Sequence, residues 1–254
     1  MTQTAIDQLR ALHDELGAHP DLVKVLDARD RVYARYGRAF APENLPELTA
    51  DEYLSFLRFE NNGHWSSIHR YGSRTTSDMP ALRQALGVLT DEQRPLAERY
   101  DEATGGAVKG IGRAIATPIL HVVAPDRYGV WNNQSHAGLQ AIGALPRFEP
   151  GWTDGQKYAA INETLLALAE ALRIDLWTLD AVWEVLRRRR PLLPPPPDPP
   201  ATSAIAREFR GFTADAFDFL SELTQNNNKN RMHVNLARYE TGVREPMRAL
   251  FTDL

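Results

Sequence analysis

An all-α, multi-helix fold is predicted by three observations. Apolar residues recur at three- and four-residue spacing through most of residues 1–190, no stretch alternates β-branched with polar residues, and Thr, Asp and Pro stand where helices begin. The composition agrees: 43% of the 254 residues are hydrophobic and 24% are charged, as in a folded globular chain. Seven of the ten residues from Pro191 to Pro200 are proline, which excludes a helix there and favours a semi-rigid spacer. The expected organisation is a helical domain at 1–190, a Pro-rich linker at 191–200 and a short helical segment at 201–254.

Taken in order, Thr4 is expected to cap a first helix carrying Ile6, Leu9, Leu12 and Leu16. Pro20 opens a second with Leu22, Leu26, Tyr33 and Tyr36. Thr49-Ala50-Asp51-Glu52 starts a third, because a Thr cap satisfies free backbone donors and acids complement the helix dipole. That helix is expected to end near Asn61-Asn62-Gly63. Further helices are expected at about 79–87, 90–103, 112–122, 133–143, 155–173 and 178–190. The last two carry core stripes: Ile161, Leu165, Leu168 and Leu172, then Leu179, Val182, Trp183 and Leu186. Beyond the linker, Phe209, Phe212, Phe217 and Leu220 surround a Thr-Ala-Asp start at Thr213. Two short helices follow, one with Leu236 and Tyr239 and one starting at Pro246.

Composition also bounds the chemistry. The chain has no cysteine, which excludes disulfides, a thiolate nucleophile and sulfur-ligated zinc. Its formal net charge is -4, so binding to nucleic acid has to come from a local surface. No secretory leader and no membrane-length apolar run is apparent, so a cytoplasmic location is expected and no membrane partner. No cofactor is indicated. His64 and His69 lie five apart, a spacing that does not place both on one helix face, and no metal site is expected.

The most informative stretch is Val108-Lys109-Gly110-Ile111-Gly112-Arg113-Ala114-Ile115-Ala116-Thr117-Pro118-Ile119-Leu120. Two glycines around one apolar residue permit a tight turn, with Ile111 plugging the core and the amides of Gly110 and Gly112 exposed before a helix. Amides at a helix start, with the positive end of its dipole, suit a phosphate. From Gly105 to Pro125 the only charged side chains are the cations Lys109 and Arg113. The same residues also fit a plain helix–helix turn with two solvated cations.

These residues resemble the helix-hairpin-helix element of the DNA glycosylase superfamily, at Gly110-Ile111-Gly112, Ala116 and Ile119-Leu120. The resemblance continues through Pro125 to Asn132 and on to Leu139 and Gly143. It implies a DNA-binding hairpin contacting phosphate through Lys109, Gly110, Gly112 and Arg113. Where that superfamily delivers an acidic catalytic residue this chain has Asn132, an amide that cannot act as a base. A carboxylate from elsewhere, such as Asp126, is the remaining catalytic candidate. Residues 45–186 are also similar to amino-terminal domains of bacterial restriction and defence proteins, through Phe56-Leu57, Asn62, Trp65, Thr117, His121, Tyr128 and Trp131-Asn132.

Other side chains form a second tier. Residues Asn61 to Arg70 gather amides, two histidines and an indole, which reads first as a packed Trp65 beneath a polar turn and second as a wall for a base. His64, Trp65, Asn132 and His136 are the candidate lining of such a base-sized pocket. Arg187 to Arg190 read as complements of a helix C-terminus or as a patch for an anionic partner.

Residues 209–250 are similar to the opening of a widespread bacterial domain of unknown function, at Phe209-Arg210-Gly211-Phe212, Phe219-Leu220, Leu223, Asn226-Asn227, Tyr239-Glu240 and Pro246. That domain is several times longer than the 54 residues after the linker, so a truncated or degenerate domain is expected. Its aromatic surface, at 209–239, is a candidate for self-association or a protein partner. The leading functional expectation is a non-catalytic DNA-binding protein. The alternatives are a DNA glycosylase and a protein-interaction module.

Overall fold

A computed structural model describes residues 3–189, 211–225 and 235–247, and among these the fold is all-helical. The chain divides into two compact units, Met1–Pro191 and Leu192–Leu254. The Pro191–Pro200 run, Phe209, Asn226-Asn227 and Arg190 lie outside the described residues.

In the first unit, α1 spans Gln3–Asp14, α2 Pro20–Val32, α3 Ala50–Leu57, α4 Phe59–Asn62 and α5 Gly72–Thr75. Then come α6 at Met79–Thr90, α7 at Leu96–Thr104, α8 at Arg113–Val123, α9 at Asn133–Ala141, α10 at Asp154–Leu172 and α11 at Leu176–Arg189. Helix α8 is the centre of this unit, since every residue from Ile115 to Val122 is buried. A helix apolar on all sides has to be surrounded, and α8 packs against α6, α7 and the wide turn Tyr33–Gly37 that extends α2. Helix α10 runs along α7, and α11 packs against α1, α2, α9 and α10. The α7–α10 contact is close enough that a Cβ on Gly155 would lie 2.0 Å from the Ala97 carbonyl oxygen. Glycine there is a condition of the crossing.

Several helix starts follow from local capping. The Thr49 hydroxyl accepts from the Glu52 amide at 3.2 Å while the Glu52 carboxylate accepts from the Thr49 amide at 3.0 Å, and Thr153 and Gln156 repeat the arrangement on α10. Other boundaries differ from expectation. Helix α1 is already formed at Gln3, so Thr4 lies inside it and does not cap it. The third helix breaks at Arg58, whose backbone is extended. The side chains of Asn61 and Asn62 donate to the Ser55 and Phe56 carbonyls at 3.0 and 2.9 Å, closing the end of α3 in place of further helical amides. The helix expected from residue 90 begins only at Leu96, because Pro95 has no amide to donate and sits extended before it.

In the second unit, α12 spans Ala214–Gln225, and the Thr213 hydroxyl accepts from the Ala216 amide at 3.3 Å. Helix α13, Leu236–Tyr239, continues as a wide π turn over Glu240–Arg244 and on to residue 247. No new helix starts at Pro246. The wide turn carries the chain past a residue whose missing amide would otherwise interrupt an α ladder. Ala216 and Phe219 are buried, Tyr239 lies 6.4 Å from Phe219 by ring centroids, and Arg238 bonds to Asp215 at 2.6 Å. Phe217 and Leu220, three residues apart on α12, are 60% and 43% exposed.

Candidate functional site

The start of α8 opens into a cleft of about 920 Å³ in the first unit. One wall is the turn Gly110-Ile111-Gly112 with Arg113 and Ala114, and another is the loop from His64 to Ile68 with Arg70 and Tyr71. Asn132, Asn133 and Gln134 at the start of α9 line it as well, next to Arg187 and Arg188 of α11: Gln134 donates at 2.7 Å to Glu184, the acid that both arginines pair with. Six of the expected site residues, His64, Trp65, Gly110, Gly112, Arg113 and Asn132, thus share one cavity.

The turn is built as its residues dictate in part. Gly110 has φ +103°, a left-handed conformation that favours glycine, and Ile111 is buried as a plug. Gly112 is different: its φ of -137° is ordinary extended backbone, and a Cβ there would meet no atom within 4 Å. Neither backbone conformation nor crowding within the protein requires a glycine at 112. The α8 start carries no side-chain cap. The Ile115 amide turns back to the Gly112 carbonyl at 2.9 Å, and the amides of Gly112, Arg113 and Ala114 have no intrahelical partner. These amides lie at the positive end of the α8 dipole.

The start of α9 is closed by contrast. The Asn132 side-chain oxygen accepts from the Gln134 and Ser135 amides at 2.7 and 3.0 Å, and the Ser135 hydroxyl accepts from the Asn132 amide at 2.9 Å. Asn132 is therefore occupied as a cap. Its position is set by the segment before it, which polar side chains clamp. The Tyr158 hydroxyl donates to the Gly129 carbonyl at 2.9 Å, Asn162 bonds the Gly129 amide and the Arg127 carbonyl, and the Trp131 amide donates to the Thr117 hydroxyl at 2.9 Å.

The loop wall rests on Asn62, which is fully buried. Its side-chain oxygen accepts from the His64 and Trp65 amides at 2.9 and 2.7 Å, and its nitrogen donates to the Phe56 and Trp65 carbonyls. Behind the wall lies Asp180 of α11, buried at 5% exposure. The Trp65 indole donates to its Oδ2 at 3.0 Å and the His64 Nε2 lies 3.4 Å from the same oxygen. Burial pushes the Asp180 carboxyl above its ordinary value, against the lowering effect of His64 and the Trp65 hydrogen bond. The sequence signal for Asp180 is its spacing, three residues after Trp177 and three before Trp183, on the buried face. Trp177 and His121 pack against the same wall, with Trp177 4.9 Å from His64 and 6.0 Å from His121 by ring centroids.

The charge lining the cleft is four arginines against two acids, Asp21 and Glu184, in a chain whose net charge is -4. Arg188 pairs with Asp21 and Glu184, and Arg187 with Glu184. Arg70 and Arg113 make no ion pair among the described residues. Arg70 donates to the Ser67 carbonyl at 2.9 Å, and Arg113 donates to the Asn133 side-chain oxygen at 2.7 Å while its guanidinium lies 5.0 Å from the Trp131 ring centre.

Three expected residues stand elsewhere. Lys109 is exposed on the turn and lines neither this cleft nor its neighbour. Asp126 is exposed in the segment between α8 and α9, away from both cavities. His136 belongs to a second cavity of about 480 Å³ that shares only Gly112 and Arg113 with the first. A single pocket holding His64, Trp65, Asn132 and His136 is therefore corrected to two adjoining cavities. Arg70, which also lines the cleft, is marked in the sequence only by its place in the polar turn after Trp65 and Ser67. Among the described residues no group of three or more His, Asp or Glu side chains is placed to hold a metal ion. No described helix is long and apolar enough to cross a membrane.

Comparison with known proteins reaches only the second unit. No curated protein and no solved structure matches the chain, so neither the resemblance of residues 110–143 to glycosylases nor that of residues 45–186 to restriction and defence proteins finds a counterpart. Residues 215–254 match the family described as conserved hypothetical protein (DUF2461), a domain of unknown function, in agreement with the similarity read at 209–250.

Proposed function

We propose that the protein binds DNA without catalysing a reaction on it, holding a backbone phosphate at the start of α8. One observation carries the reading: the uncapped amides of Gly112, Arg113 and Ala114 open into a cleft with an excess of arginine. Helix-start amides and a positive dipole end attract an anion, and Arg113 and Arg70 add charge that no acid among the described residues pairs with. The open space beside Gly112 gives a phosphate oxygen room to approach the backbone. Trp65 and His64, buried at the wall, set the shape of the cleft. Asn132 is spent on capping α9 and Asp126 lies away from the cleft, so neither supports the glycosylase alternative.

The test is fluorescence-anisotropy binding to single-stranded and duplex DNA across a salt series. Wild type is expected to bind with affinity that falls steeply with salt. An Arg70→Glu/Arg113→Glu variant, which reverses the two cleft cations that no described acid pairs with, is expected to bind at least about tenfold more weakly at low salt, with its salt slope shallower by about two. Gly112→Val, which the backbone tolerates, is expected to weaken binding without lowering the melting temperature. Equal binding by wild type and the charge variant overturns the reading. Absence of any binding at low salt shifts the assignment to protein recognition, for which exposed Phe217 and Leu220 of α12 are the candidate surface.

A further inference from the structure

We infer that the second cavity is a nucleobase pocket: with a phosphate at the α8 start, the base of the adjoining nucleotide enters beside Phe148 and meets His136. This rests on the DNA-binding reading of the first cleft. The two cavities share Gly112 and Arg113 in their linings, so a ligand held at those residues lies next to both. Their chemistry differs in the sense a nucleotide needs. The first cleft presents the open helix amides and the Arg70 guanidinium, whereas the second, which shares Arg113, is lined by Phe148, by the buried rings of Trp131 and Tyr100, and by His136, Thr104, Asp154 and Lys157.

The state of His136 follows from its neighbour. The Trp131 indole has only a donor to offer, and it lies 3.4 Å from His136 Nδ1, so Nδ1 accepts and the ring is neutral with its proton on Nε2. Burial and the nearby Arg113 both lower the His136 pKa, in the same direction. A neutral ring with one N–H donor suits the carbonyl or ring nitrogen of a base edge better than a phosphate. Lys157 and Asp154, joined at 2.9 Å, add a donor and an acceptor to the lining. Phe148 is half-buried and tilted against Trp152 at 6.2 Å, leaving it part of the cavity surface, and a planar base gains by stacking on such a ring. The cavity volume of about 480 Å³ is ample for one base.

The experiment compares binding of a short oligothymidylate with that of an abasic phosphodiester oligomer of equal length. Wild type is expected to prefer the thymidylate by about tenfold, a preference of the size that stacking of one base confers. His136→Ala and Phe148→Ala are expected to bring that preference close to unity while leaving the abasic affinity and the salt slope unchanged. His136→Gln keeps an acceptor for Trp131 and an N–H donor, and is expected to retain the preference. Unchanged abasic binding also reports that each variant is folded. Equal binding of the two oligomers by wild type, or a preference intact in both alanine variants, overturns the inference while the phosphate site stands. Failure of both oligomers to bind removes the phosphate site and this pocket with it.

Discussion

Trp177→Ala is expected to lower the stability of the first unit by about 3–5 kcal/mol, the range for truncating a fully buried Trp to Ala. Trp177 is 0% exposed, and its indole donates to the Val25 carbonyl at 2.9 Å, tying α11 to α2. Its ring meets Tyr33 edge-on at 5.4 Å and Trp65 at 5.6 Å between centroids, so truncation leaves a cavity directly behind the cleft wall. Trp177→Phe keeps part of the packing and loses only the indole donor and the larger ring, so it is expected to cost less. Urea unfolding followed by tryptophan fluorescence measures this in the first unit alone, because all five tryptophans, at 65, 131, 152, 177 and 183, precede the proline run. A loss below about 1 kcal/mol contradicts the packing described.

The pH dependence of stability is expected to carry the signature of His121. This ring is fully buried in the heart of the helical unit, where its Nδ1–H donates to the Tyr128 carbonyl at 2.7 Å and its Nε2 accepts from the Tyr33 hydroxyl at 2.9 Å. Both contacts suit the neutral ring, and burial lowers its pKa from 6.5 to about 4. Between those values the unfolded chain takes up a proton that the folded chain refuses, so stability falls as pH drops from 6.5 towards 4. The full effect is about 3 kcal/mol. Asp180 acts in the opposite sense, because its raised pKa lets the folded state bind a proton more readily. The comparison is therefore between wild type and His121→Gln over the same pH range. The variant is expected to lose the His121 share of the slope, and identical pH profiles contradict the assignment.

What was legible in the sequence was what local chemistry determines. Thr49 and Thr213 stand at helix starts because a hydroxyl three residues before a free amide caps it wherever it occurs. The spacing of Ile161, Leu165 and Leu168 gave the face of α10. The plug at Ile111 and the helix after it were likewise visible in a glycine–apolar–glycine turn. Elements fixed by distant partners were not. The break at Arg58 depends on Asn61 and Asn62 turning back to α3, and the burial of Asp180 depends on Trp65, which is 115 residues away in the chain. The separation of His136 from His64 depends on how α8 and α9 are set against each other, through clamps that Tyr158 and Asn162 supply from α10. Gly110 and Gly112 look alike in sequence, and only their backbone angles show that the first serves the turn and the second leaves space open.

The central claim, that a phosphate sits on the α8 start, is tested most directly by following backbone amide resonances during titration with a short DNA. The amides of Gly112, Arg113 and Ala114 are expected to shift first and furthest, and in proportion to saturation, with smaller changes at Asn133 and Arg70. Saturable binding that leaves those three amides unmoved, or shifts confined to Ala216–Leu220 of α12, contradicts it.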